Sequence, residues 1–242
     1  MTERSSVDLT EEVKASIRNN LNTIRQGLGD RRVTLMAATK TVSPALINYA
    51  TQECGLTDIG ENRVQELVAK YDELDLTGVN LHFIGTLQPN KVKYLIGKVC
   101  LIHSLDSLKL AEEISRRSES KGLVTDVLLE VNIGEEEAKG GIPEGEARSF
   151  LASVSHLRGI RLRGLMVIGP HCPDVNDYRP FFERTRALFD ALSAEGFFGD
   201  DPILSMGMSD NYGLAAIYGS TLVRPGTAVF GSRTAVLPKT NG

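Results

Sequence analysis

Between residues 33 and 231, eight short apolar runs alternate with seven amphipathic stretches. The runs lie at 33–40, 57–62, 80–85, 99–105, 126–134, 163–169, 202–209 and 221–231. The stretches between them lie at 43–55, 64–74, 89–97, 108–121, 144–156, 180–194 and 212–218. Near-continuous apolar runs suit parallel strands buried on both faces, and a parallel strand needs a crossover helix before the next. Eight such units without a linker favour a single (β/α)8 TIM barrel over 1–242 rather than a doubly wound sheet. Pro44 and Pro89 each open a helical stretch, where a proline nitrogen has no hydrogen bond to lose. In the helix at 108–121, Leu108, Ala111 and Ile114 are expected to form the inward stripe. After the last run, residues 232–242 are too short and polar for a full outer helix. The extra N-terminal stretch 11–28 carries Val13, Ile17, Leu21, Ile24 and Leu28 at helical spacing and is expected to cover that gap.

With 242 residues, 41% hydrophobic and 24% charged, the chain is an ordinary globular one of net charge −4. That charge argues against a nucleic-acid partner, and no apolar run is long enough to span a bilayer. Arg158, Arg161 and Arg163 cluster at the start of a strand and read as a solvated face remote from the chemistry. Cys54, Cys100 and Cys172 have neither metal-type spacing nor an even count, so no disulfide or zinc site is expected. A cytoplasmic monomer is the expectation.

Barrel active sites form at the C-terminal ends of the strands, with phosphate commonly held after the seventh and eighth. The polar residues there are Lys40, Asn62, Thr86, Gln88, Asn132, Ser209, Arg224, Gly226 and Thr227. Lys40 ends a buried strand, where desolvation would favour a free amine able to attack an aldehyde. Ser209 begins a helix, so its hydroxyl and the amides behind it can face an anion; alternatively it is only a cap. Gly226-Thr227 sits within the last strand, where glycine marks either a close backbone approach or a bulge. Arg224 shares the face of Gly226. It is expected either opposite a pyridine nitrogen, holding it unprotonated, or in an ion pair with a strand-end carboxylate. A reactive amine beside a phosphate cradle is what pyridoxal 5′-phosphate requires. His82 reads as a core residue, and the charged loop 135–141 as a solvated rim.

The motifs Ala38-Thr39-Lys40-Thr41, Gly60-Glu61-Asn62-Arg63-Val64-Gln65-Glu66, His82-Phe83-Ile84-Gly85-Thr86-Leu87-Gln88-Pro89-Asn90-Lys91, Ser205-Met206-Gly207-Met208-Ser209-Asp210 and Arg224-Pro225-Gly226-Thr227 occur in order along almost the whole chain. Together they resemble the pyridoxal phosphate homeostasis protein family. The resemblance implies a fold-type III barrel like the N-terminal domain of alanine racemase. In it Lys40 would form the internal aldimine, and Ser209, Gly226 and Thr227 would hold the phosphate. Arg224 would face the ring nitrogen, with Asn62 and Met206 lining the ring pocket. Lys139 matches a family lysine tied to a secondary cofactor contact. Thr39 and Arg63 depart from the family pattern, which more often has serine and an aromatic residue there.

The resemblance further implies a carrier or regulator of cofactor and amino-acid pools without general turnover, with pyridoxal phosphate-dependent apoenzymes as partners. The alternative is an amino-acid racemase of the same fold. That reaction needs acid/base groups on opposite faces of the substrate, and in alanine racemases one comes from a second domain. This sequence ends soon after the eighth run, so no such domain is expected. A Schiff-base aldolase would usually carry its lysine on a later strand than Lys40.

Overall fold

The computed structural model describes residues 9–134, 140–170 and 172–231. The apolar runs become β1 (Thr34–Ala38), β2 (Asp58–Glu61), β3 (Asn80–Phe83), β4 (Leu101–Leu105), β5 (Thr125–Asn132), β7 (Ile160–Val167), β8 (Ile203–Ser205) and β9 (Leu222–Val223). A two-residue strand, β6 (Ile142–Pro143), pairs along the edge of β5. Each strand pairs in parallel with the next around the ring, omitting β6. The ring closes where Thr34 and Leu35 of β1 register with Leu222 and Val223 of β9. This is the expected eight-stranded barrel.

Outside lie α1 (Glu11–Leu28), α2 (Pro44–Asn48), α3 (Val64–Lys70), α4 (Leu108–Glu119), α5 (Ala147–Val154), α6 (Arg179–Ala194), α7 (Tyr212–Ile217) and α8 (Thr227–Phe230). The stretch opened by Pro89 is a 3₁₀ turn rather than an α-helix. In α4 the inward stripe is Leu110, Ala111 and Ile114, while Leu108 is 43% exposed. Leu108 follows the Ser107 cap directly, so it lies at the rim of the helix start.

Helix α1 begins at a Thr10 cap that accepts from the Val13 amide, and it ends at Gly29. It buries Ile17, Leu21, Ile24 and Leu28, and its Asn20 side chain donates to the Val229 carbonyl of α8 at 3.0 Å. On its other side Arg25 donates to the carbonyls of Cys54 and Gly55. The first helix therefore packs beside α8, at the closing edge of the barrel where it was expected. Each buried aliphatic side chain contributes about 1.5–3 kcal/mol before entropy, against about 1 kcal/mol for the Asn20 bond, so the apolar face holds α1 and the polar contacts set its register.

Side chains alternate along each strand. Ala37, Ile59, Phe83, Leu129, Leu165, Leu204 and Val223 face outward into the large core shared with the helices. Two small apolar clusters lie inward, Met36, Ala38, Ile84 and Leu222 in one and Leu101, Leu128 and Met166 in the other. The same inward alternation carries buried polar residues: Asp58, His82, His103, Glu130, Ser205 and Arg224. The barrel interior is thus half apolar and half hydrogen-bonded.

Arg161 and Arg163 both pair with Asp126 at the opposite end of the barrel from the strand-end residues. Their remoteness was expected, but they are ion-paired rather than merely solvated. Among the described residues no helix is long and apolar enough to cross a membrane.

Candidate functional site

Strand β1 pairs only as far as Ala38, and Lys40 stands in the turn beyond it, exposed. The burial expected of this lysine is therefore absent. The ladder stops two residues early because Thr41 takes a left-handed backbone angle, φ 65°, and turns the chain out of the sheet. The turn is held from behind. Lys70 on α3 is 5% exposed, and its ammonium meets Glu61 at 2.5 Å, the Thr39 carbonyl at 3.0 Å and the Val42 carbonyl at 3.3 Å. The Thr39 hydroxyl also donates to Glu61, and Glu66 accepts from the Thr41 amide. Burial, partly offset by Lys70, holds the Glu61 carboxyl above its ordinary value. The Thr39 and Val42 carbonyls and the Thr41 amide, on either side of Lys40, are thereby tied to Lys70 and Glu66.

Asn62 follows β2, and its Oδ1 atom is buried without a partner among the described residues. Gly85, just after β3, makes this approach possible: a Cβ there would lie 2.0 Å from the Asn62 carbonyl oxygen. No other residue type fits.

The last strand is much shorter than expected. β9 stops at Val223, and Gly226 caps α8 instead of lying within a strand. Pro225 has no N–H with which to extend the ladder, although its carbonyl still accepts from the Ala38 amide at 2.9 Å. A Cβ on Gly226 would sit 3.2 Å from the Ala38 carbonyl oxygen, so the glycine marks a close backbone approach rather than a bulge. Ser209 lies two residues before the Asn211 cap of α7 and does not begin that helix. Its hydroxyl oxygen instead accepts from the amides of Gly226 at 3.0 Å and Ala228 at 3.1 Å. Two N–H groups converging on one oxygen form a nest suited to an anion. Thr227, within that nest, is exposed. Met206 is fully buried in the outer core, so its side chain faces the helices and not the barrel interior.

Arg224 is 5% exposed. It donates from one terminal nitrogen to Ser205 Oγ at 2.7 Å and from the other to the Val167 carbonyl at 2.8 Å. Its remaining N–H groups have no partner among the described residues. Burial pulls the guanidinium down to about 10, opposed by the Glu130 carboxylate. Glu130 is pushed up to about 7, by burial first and then by Asp106, with Arg224 acting against both. Among the described residues Arg224 forms no direct ion pair; its direct contacts there are a hydroxyl and a carbonyl.

His82 is buried, as expected, but it is not an isolated core residue. Its ring lies 3.0 Å from Asp58 on one side and 3.0 Å from His103 on the other. Sequence reasoning passed over Glu130, His103, Ser205, Asp58 and Lys70. A polar residue at an inward position of an apolar run was the available signal for the first four. Lys139 lies outside the described residues.

Residues 14–234 match the family model of the alanine racemase N-terminal domain. The pyridoxal phosphate homeostasis protein of Aquifex aeolicus is 45% identical over 209 residues, covering 86% of this chain and 91% of its own length. The protein of the same name from Escherichia coli K12 is 37% identical over 215 residues, 86% and 89% of the two chains. Among solved structures, an unknown protein from Bifidobacterium adolescentis superposes with a TM-score of 0.85 at 34% identity, over 93% of this chain and 100% of that one. PipY of Synechococcus elongatus, in a structure with pyridoxal phosphate bound, gives 0.80 at 33%, over 89% and 100%. Alanine racemase from Corynebacterium glutamicum, at 15% identity and a TM-score of 0.66 over 94% and 62%, shares the fold.

Proposed function

The chain belongs to the pyridoxal phosphate homeostasis protein family, within the alanine racemase N-terminal domain fold, and from that premise we propose that it binds pyridoxal 5′-phosphate at the barrel mouth and serves cofactor homeostasis without general turnover. The cofactor supplies an aldehyde, a ring nitrogen that can accept a hydrogen bond, and a phosphate dianion. Each has a counterpart in this chain. Lys40 offers an exposed amine, Arg224 offers unspent donors from a buried cation, and Ser209 with Gly226 and Thr227 offers an anion nest. Asn62 adds a buried oxygen without a partner among the described residues. Met206 supports the site from the outer core rather than from the ring pocket.

One observation carries this proposal: Arg224, nine-tenths buried and fastened from behind by Ser205 and Val167, has no partner for its other donors among the described residues. Buried N–H donors without acceptors are costly, so the placement of this guanidinium supports a ligand acceptor. The same residue argues against racemisation. A cation that donates to the ring nitrogen keeps that nitrogen unprotonated, which weakens the ring as an electron sink. The relatives that the chain matches over most of their length carry the homeostasis name, not that of a racemase.

The test is the visible spectrum of purified protein mixed with pyridoxal phosphate, before and after borohydride, followed by peptide mapping. We expect one reducible adduct per chain, on Lys40. A protein that takes up no cofactor, or an adduct placed on Lys91 or Lys139, would overturn the assignment.

A further inference from the structure

A line of hydrogen bonds crosses the barrel interior. It runs from Arg224 to Ser205 Oγ at 2.7 Å, from Ser205 Oγ to His103 Nδ1 at 3.0 Å, from His103 Nε2 to His82 Nδ1 at 3.0 Å, and from His82 Nε2 to Asp58 Oδ1 at 3.0 Å. Ser205 and His103 are fully buried, and His82 is 5% exposed. The line joins five strands or their ends, from β2 through β3 and β4 across to β8 and β9. It begins at a cation and ends at a carboxylate.

The donors can be assigned by elimination. An arginine can only donate, so Ser205 Oγ accepts from Arg224. Asp58 accepts from Asn80 at 3.1 Å and from Thr57 at 2.7 Å as well as from His82, so its carboxylate is wholly an acceptor. His82 Nε2 therefore carries a proton. If Ser205 donates to His103 Nδ1, His103 donates through Nε2 to His82 Nδ1, and every group is satisfied with both rings neutral. The reverse direction would leave the Ser205 proton without an acceptor. It would also require a charged His82 ring facing His103 within the barrel, which is costly. Burial, reinforced by the Arg224 cation, holds His103 well below the usual histidine range, in keeping with a neutral ring. In the favoured direction each bond dipole points from the Arg224 cation toward the Asp58 anion.

We infer that Ser205, His103, His82 and Asp58 form a one-directional relay whose task is to position Arg224, making these four the residues that set its aim toward a ligand at the mouth. This rests on the pyridoxal phosphate assignment above for the identity of the ligand, but not for the relay itself. The relay residues do not touch the ligand; they act through Arg224. Val167 fixes one guanidinium nitrogen, and the relay fixes the other, so together they define the plane of the group.

Two measurements test it. The first uses the protein without ligand: long-range ¹H–¹⁵N correlation of the histidine side chains should show both His82 and His103 neutral and protonated at Nε2. His103 protonated at Nδ1, or His82 protonated at both nitrogens near neutral pH, overturns the relay. The second compares Ser205→Ala and His103→Gln with a control, Ser118→Ala, which removes a buried hydroxyl bonded to Thr125 away from the barrel interior. The relay variants should weaken pyridoxal phosphate by about tenfold, the loss of one well-placed hydrogen bond. Their visible band should move, while the adduct on Lys40 still forms at wild-type stoichiometry and the control is unchanged. Relay variants with wild-type affinity and spectrum overturn the positioning role. If the unaltered protein binds no pyridoxal phosphate, the ligand assignment falls instead, and the tautomer measurement alone decides whether the relay exists.

Discussion

The amide of Ala38 donates to the carbonyl of Pro225 at 2.9 Å, beyond the point where the β1–β9 ladder ends. That bond holds the turn carrying Lys40 beside the turn carrying Gly226. Amine and anion nest therefore lie on adjoining strands at the closing seam of the barrel.

Replacing Lys40 with Ala should abolish the borohydride-fixed adduct. Because the side chain is exposed, stability should change by no more than about 0.5 kcal/mol. Thermal unfolding of the apo-protein and mass spectrometry after reduction check both halves. An adduct retained at full stoichiometry would show that another amine is the anchor.

Ser209→Ala should weaken pyridoxal phosphate by roughly ten- to a hundredfold, the range for a donor lost to a charged acceptor. Unphosphorylated pyridoxal should be affected far less. Equal weakening of both ligands would mean that Ser209 serves only to gather the amides of Gly226 and Ala228.

Lys70→Met should strip Glu61, which is fully buried, of its counter-charge and destabilise the protein by about 3–5 kcal/mol. The double variant Lys70→Met with Glu61→Gln should recover much of that loss. It should still bind pyridoxal phosphate more weakly than wild type, because Thr39 and Val42 lose their anchor. Chemical denaturation of the four members of the cycle gives the stability terms, and titration with the cofactor gives the rest. No recovery in the double variant would refute the pairing.

Glu130, pushed up to about 7 in the fold against an ordinary 4.5, gives a dependence of definite sign. Below about 4.5 the carboxyl is protonated folded and unfolded alike. As pH rises toward 7 the unfolded chain ionises first, so folding loses stability, by about 3 kcal/mol across the window. Glu130→Gln should flatten that slope and stabilise the protein at pH 8. Denaturation midpoints between pH 5 and 8, wild type against variant, measure it; parallel curves would show that Glu130 is not the group responsible.

Incubated with L-alanine and pyridoxal phosphate, the protein should produce no D-alanine at rates typical of enzymes. Chiral chromatography decides the matter. Enzymatic racemisation abolished by Lys40→Ala would replace the homeostasis proposal with a catalytic one.

The barrel was legible because strands buried on both faces appear as unbroken apolar runs, and proline marked where helical segments start. Strand ends were not. Leu222-Val223 and the residues up to Gly231 form one apolar run, yet only the first two pair, because Pro225 cannot donate and Gly226 begins a helical turn. Lys40 reads as buried for the same reason, its run continuing past the last paired residue. Ser209, Arg224 and Gly226 stand out in the sequence near strand ends, but their partners were not foreseeable. Ser209 meets amides about twenty residues on, and His103 meets a serine 102 residues away. Such contacts depend on barrel curvature, which no local pattern encodes.

Helix α1 reaches Val229 across 209 residues of sequence. Closure of the ring therefore brings together the two most distant parts of the described chain, and contacts so far apart in sequence are the slowest for a chain to find. The amine of Lys40 and the nest at Gly226 lie on either side of that seam. A ligand gripping both would act as a clasp across the last joint to form, favouring the closed ring by mass action. Occupancy of the mouth and integrity of the barrel would then rise and fall together, so the amount of intact protein would itself register how much ligand surrounds it.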